Sequence, residues 1–193
     1  ALRYEQRPHQ KSALITMFKR FSTRDLIILA TLAGIGIAIK PIVSPLSKLL
    51  STPLFVPGGS FTGGLYMLWL VLAVVIIGKA GTGTIFGLLQ ALVGMVIGLR
   101  GNQGLLSLIS YTLPGVVADL AFAVLRRPLS LWTHVILVAL ANMTGALVVA
   151  VFLFRHPLPY VLIILGMALV SGCVGGLLSF GIFKTLHKYE LLT

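Results

Sequence analysis

An all-α integral membrane protein, a six-helix transmembrane bundle with both termini cytoplasmic, is the fold this sequence predicts. Three observations predict it. Of 193 residues, 58% are hydrophobic and 10% charged, whereas water-soluble domains carry about 25% charge to wet their surfaces. Only 4 residues are acidic, against 15 lysines and arginines. The apolar residues also gather into six runs near the ~20 residues a helix needs to cross a bilayer.

In chain order, residues 1–23 form a basic tail, best read as solvated. The spans follow at 24–40, 61–78, 82–99, 105–125, 132–154 and 159–183, within a membrane domain of residues 24–186. Residues 187–193 form a short cytoplasmic tail. The first run is not read as a cleaved signal, because five spans follow and no small-x-small cleavage site is evident. Pro41, Pro45, Pro53 and Pro57 with Gly58-Gly59 mark the first and longest loop, residues 41–60. Gly78-Lys79-Ala80-Gly81, Arg100-Gly101-Asn102-Gln103-Gly104, Arg126-Arg127-Pro128 and Arg155-His156-Pro157 punctuate the rest.

The net charge of +11 does not indicate nucleic acid. Its cations border apolar runs, and no basic stripe interleaves with aromatics as single-strand binding requires. With the N-terminus inside, the inner segments hold Arg3, Arg7, Lys11, Lys19, Arg20, Arg24, Lys79, Arg126, Arg127, Lys184 and Lys188. The outer segments hold Lys40, Lys48, Arg100 and Arg155. This bias obeys the positive-inside rule.

Lipid supplies no hydrophobic drive between helices, so small residues are expected wherever backbones approach closely. Gly83, Gly87, Gly94 and Gly98 on the third span, and Ser171, Gly172, Gly175, Gly176 and Ser179 on the sixth, read as internal packing stripes. Ala30, Gly34 and Ala38 form a third stripe on the first span. The lone Cys173 reads as a small packing residue.

No catalytic, metal or cofactor constellation is present. His9, His134, His156 and His187 pair with no carboxylate or cysteine at ligand spacing, and there is no phosphate-binding loop. Asp119 is the sharpest single residue, since a carboxylate at membrane depth costs ~2.5–3.5 kcal/mol and needs compensation. Arg126 or Lys79 are candidate partners, and a ligand or proton contact is the functional alternative. Tyr66, Trp69, Gln90, Asn102, Ser107, Tyr111 and Asn142 lie in the outer half or near mid-membrane. They suit a small, planar, polar ligand, while Trp132 and Tyr160 read as interfacial aromatics. Lys40, Arg100 and Arg155 are expected around the outer mouth.

The stretch Pro57-Gly58-Gly59-Ser60-Phe61-Thr62-Gly63-Gly64-Leu65-Tyr66-Met67-Leu68-Trp69 carries a resemblance, with Lys79-Ala80-Gly81-Thr82, Gly101-Asn102-Gln103-Gly104 and Ser110 to Asp119. It resembles the substrate-binding S components of energy-coupling factor (ECF) transporters, closest to the hydroxymethylpyrimidine/thiamine, YkoE-like branch. The resemblance implies a vitamin-capturing subunit in a prokaryotic plasma membrane. Its partners would be a transmembrane coupling subunit and two ATPases. It also implies docking through Ala30, Gly34 and Ala38, and a lid formed by residues 41–60. Asp119 matches an acidic position of the family's fourth-helix motif, whereas the third helix offers Gln90 where the branch carries acids. The rival readings are a self-sufficient secondary transporter or channel, and a ligand-free membrane scaffold.

Overall fold

The computed structural model describes residues 21–51, 58–97, 104–125 and 129–189. Its elements are α1 (Thr23–Ala38), α2 (Lys40–Ser51), α3 (Gly59–Ile77), α4 (Thr82–Val96), α5 (Gly104–Leu125), α6 (Leu131–Val148) and α7 (Leu158–Lys188). Every described element is helical. Spans starting in α1, α3, α5, α6 and α7 are long and apolar enough to cross a membrane. At 15 residues, α4 falls short of the ~20 of a full span, and residues 98–103 beyond it lie outside the described residues.

Local chemistry sets the helix ends. Ser22 caps α1 in a capping box: its hydroxyl accepts from the Asp25 amide (3.2 Å) and its own amide donates to the Asp25 carboxylate (2.7 Å). Asp25 also holds the ammonium of Lys79, tying α1 to the turn after α3. In that turn Gly78 (φ 65°) and Gly81 (φ 90°) both adopt left-handed backbone, which a Cβ disfavours. α6 runs on into a π-helical turn, Val149–Leu153.

The first interhelical segment departs from expectation. Residues 40–51 form a helix rather than loop, and residues 52–57 lie outside the described residues. A turn at Ile39 separates it from α1. Pro41 sits in its first turn, where no amide partner is missed. Pro45 is the only proline deeper inside, and it removes one ladder bond. Lys40 and Ser47 are buried, while Ile42 (77% exposed) and Leu49 (73%) face outward. A helix that turns its polar side inward and its apolar side outward is built for lipid.

Much of the exterior follows that rule. Ile27, Leu120, Val124, Phe152, Leu162 and Val170 are exposed, whereas Gln90, Asn142 and His134 are buried. α3 packs against all six other described helices and buries Leu68 and the run from Leu70 to Val75. Around it α1, α4, α5, α6 and α7 pack in succession.

Small residues make these crossings. A Cβ on Gly64 would strike the Ser171 carbonyl of α7, and one on Gly175 would strike the Gly64 carbonyl in return. Gly83 and Gly115 oppose each other across α4 and α5, with Gly87 against Tyr111. Gly172 and Gly176 bring α7 onto Ala139 and Val135 of α6. These are the packing stripes expected on the third and sixth spans. Gly94 has no neighbour its Cβ would meet, and Gly98 lies outside the described residues.

Candidate functional site

Among the described residues, Asp119 is not held by Lys79, the expected cation that can be placed. Lys79 pairs with Asp25, and Arg126 lies outside the described residues. Instead Oδ1 accepts from the Gly83 amide (2.8 Å), and Oδ2 accepts from the amide (2.9 Å) and hydroxyl (2.7 Å) of Thr84. These amides belong to the first turn of α4, whose own N-cap is Gly81 with no side-chain bond. A carboxylate from α5 thus caps α4 from outside, meeting orphan donors and the positive end of the helix dipole together. A sequence reading looks for caps beside the helix start, and this one comes from 35 residues away.

In the opposite half of the bundle, α2, α3, α5 and α6 enclose a cavity of about 160 Å³. Its polar wall comprises Ser44 and Ser47 of α2, Ser60 and Tyr66 of α3, Ser110 and Tyr111 of α5, and Asn142 of α6. Met67, Gly145, Ala146 and Val149 supply apolar surface. Hydrogen bonds fix this wall. Asn142 Nδ2 donates to the Ala168 carbonyl of α7 (2.8 Å), and its Oδ1 lies against Gly63, where no Cβ would fit. Thr62 Oγ1 donates to Ser47 Oγ (3.1 Å), fastening α2 to α3. Ser171 donates from Oγ to the Phe61 carbonyl (2.6 Å) and accepts from the Gly64 amide (3.1 Å), locking α7 to the start of α3.

Two buried wall atoms, Ser60 Oγ and Tyr66 Oη, have no protein partner among the described residues. Unpaired buried polar atoms cost about 1–3 kcal/mol each, so they mark where a guest would be rewarded.

Of the residues expected to bind solute, Tyr66, Tyr111 and Asn142 meet at this wall. Gln90 stands behind it: its Oε1 accepts from Lys40 Nζ (3.5 Å) and its Nε2 donates to the Ala33 carbonyl (3.5 Å). Trp69 packs beside Gly36 with Nε1 buried and no partner among the described residues. Ser107 lies one turn before Ser110 and accepts from its hydroxyl through the carbonyl (3.3 Å). Asn102 and Arg100 lie outside the described residues.

Lys40 corrects its expected place at the outer mouth. It is 8% exposed, its Nζ donates to Tyr111 Oη (2.9 Å), and it lies 4.1 Å from the Tyr111 ring centroid. Ser44 and Ser47 went unnoticed in the sequence, although Lys40, Ser44 and Ser47 repeat at helical spacing and would have revealed a polar face. On the other side of α1, Ala30, Gly34 and Ala38 are all exposed, and a Cβ on Gly34 would meet nothing within 4 Å.

The architecture defines a class: a multi-pass helical membrane protein with a small polar cavity walled by four helices. Comparison with known proteins narrows it. A family model described as "ABC-type cobalt transport system, permease component" matches residues 24–143, well over half the chain, and the chain belongs to that family. One solved structure, "Crystal structure of an S-component of ECF transporter", superposes with a TM-score of 0.69. It is 18% identical over 89% of this chain and 88% of that one, which establishes a shared fold. No curated protein matches.

Proposed function

We propose that this protein is the solute-binding membrane subunit of an ATP-driven importer of the ECF type. In this reading it lies in a prokaryotic plasma membrane as six spans, with both termini cytoplasmic and the cavity toward the outside. It captures a small vitamin or vitamin precursor; the resemblance in the sequence makes hydroxymethylpyrimidine or thiamine the first candidates. The observation that carries the proposal is the pair of unpartnered buried hydroxyls, Ser60 and Tyr66, in a cavity where Ser47, Tyr111 and Asn142 are held by bonds between helices. Support comes also from the shared fold and from family membership.

Transport in this scheme needs a coupling subunit and two ATPases. The exposed Ala30, Gly34 and Ala38 give a partner helix close access to the α1 backbone. α2 and the residues after it act as the lid.

The family description names cobalt. The cavity wall offers hydroxyls, phenols and an amide, whereas cobalt among first-row metals is held by imidazole, carboxylate and thiolate ligands. An organic solute fits this wall better.

Solute released from detergent-purified protein and identified by mass spectrometry tests the proposal. Tyr66→Phe and Asn142→Ala should each weaken its binding about tenfold, the equivalent of one lost hydrogen bond of ~1.4 kcal/mol. Gly34→Leu should leave binding intact and abolish uptake. A protein that carries no organic solute, yet melts at higher temperature with Co²⁺, returns the function to metal transport.

A further inference from the structure

The cavity has a fixed hydrogen-bonding polarity at one point, and that point narrows what it holds. Asn142 is 2% exposed. Either end of an amide can face a cavity, and the two ends are told apart by their partners. Here the partner is the Ala168 carbonyl of α7, 2.8 Å away. A carbonyl only accepts, so the atom beside it is Nδ2, and Oδ1 is turned the other way. Oδ1 lies over Gly63 of α3, itself a lining residue of the cavity. The missing Cβ of Gly63 is what lets the oxygen come so close. No hydrogen bond reaches Oδ1 among the described residues.

The two unpartnered hydroxyls flank this point. Ser60, Gly63 and Tyr66 follow one another at three-residue intervals along α3, about 4.5 Å of rise apart. A hydroxyl donates or accepts as its neighbour requires, whereas an amide oxygen only accepts. The other polar side chains of the wall are hydroxyls, so Asn142 makes the one inflexible demand. Size sets a second limit. The volume of about 160 Å³ is close to that of a cavity of roughly 150 Å³ that takes one benzene. It holds a single six-membered ring with small substituents.

Resting on the solute-binding reading above, we propose that Asn142 sets the specificity of the cavity. It selects a nitrogen heterocycle of one ring, or one such ring of a longer solute. That ring directs an N–H toward Oδ1 and its own acceptors toward Ser60 and Tyr66. An aminopyrimidine meets this description, and it is the ring that hydroxymethylpyrimidine and thiamine share. A ring of the same shape without the N–H leaves Oδ1 buried and unpaired, which is how a hydrogen-bonding site rejects an analogue.

The test uses two isosteric probes, 4-amino-2-methylpyrimidine and 2,4-dimethylpyrimidine, which differ by an amine in place of a methyl. Affinities are measured by ligand-observed NMR on the full chain in nanodiscs, at mildly alkaline pH so that both rings are neutral. The parent should bind the amine at least about tenfold more tightly. Asn142→Leu, of similar volume, should bring that ratio near one. Asn142→Ser, whose hydroxyl is too short to stand over Gly63, gives the same reading should the leucine variant not fold. Tyr66→Phe should weaken both probes about equally and keep the ratio. A residue that merely ties α6 to α7 would lower both affinities together and leave the ratio alone. Equal affinities in the parent, or a preference for the amine that survives the Asn142 changes, overturn the specificity assigned to Asn142 while leaving solute binding standing. If neither probe binds, this inference fails, and the solute-binding reading stands or falls separately with the solute released from the purified protein.

Discussion

Asp119 and Lys40 are single charges placed where lipid would make them costly, and each is held by groups remote in the chain. Asp119→Ala leaves two α4 amides and the Thr84 hydroxyl without their acceptor, a loss of about 1–3 kcal/mol. Asp119→Asn keeps one acceptor oxygen and should lose less. Thermal melts in detergent measure both, and an alanine variant as stable as the parent would show that α4 does not need its external cap. That Asp119 required compensation was legible in its apolar run; its partner was not, because capping across 35 residues depends on how α5 crosses α4. Tyr66, Tyr111 and Asn142 were legible for a simple reason: a polar side chain in an apolar run must turn inward. Trp69 and Ser107 obey the same rule yet turn elsewhere, since inward covers several directions in a bundle.

At the scale of the helix, the crossings rest on backbone proximity. Gly64→Val would drive its Cβ into the Ser171 carbonyl, forcing α3 and α7 apart at the locked start of α3. Overpacking of this kind costs about 1–3 kcal/mol. Gly94→Ala, whose Cβ meets nothing within 4 Å, should be neutral or stabilising by up to ~1 kcal/mol through helix propensity. Equal melting temperatures for the two variants would refute the assignment of Gly64 to a close crossing. Helix positions were readable from hydropathy to within a few residues. α2 was not, because its prolines and glycine-rich surroundings resemble a loop; what makes it a helix is a lysine-and-serine face bound to α3 and α5 beside an outward face of Ile42 and Leu49.

At the scale of the whole molecule, the proposed orientation puts the Gly78–Gly81 turn inside and the Arg155 loop outside. With Cys173 replaced, an impermeant thiol reagent on intact cells should label Arg155→Cys at once, and Ala80→Cys only after permeabilisation. The opposite pattern inverts the protein and turns its cavity toward the cytoplasm. By itself the sequence determined that lipid is the solvent, where five helices long and apolar enough to cross it lie, and which polar residues needed shelter. Those properties are sums over local stretches, and hydropathy adds residue by residue. Only the tertiary structure decided that four helices close a cavity, that Lys40 stands behind Tyr111, and that Asp119 serves α4. Each depends on the angle and register at which distant helices meet, which small residues permit without specifying.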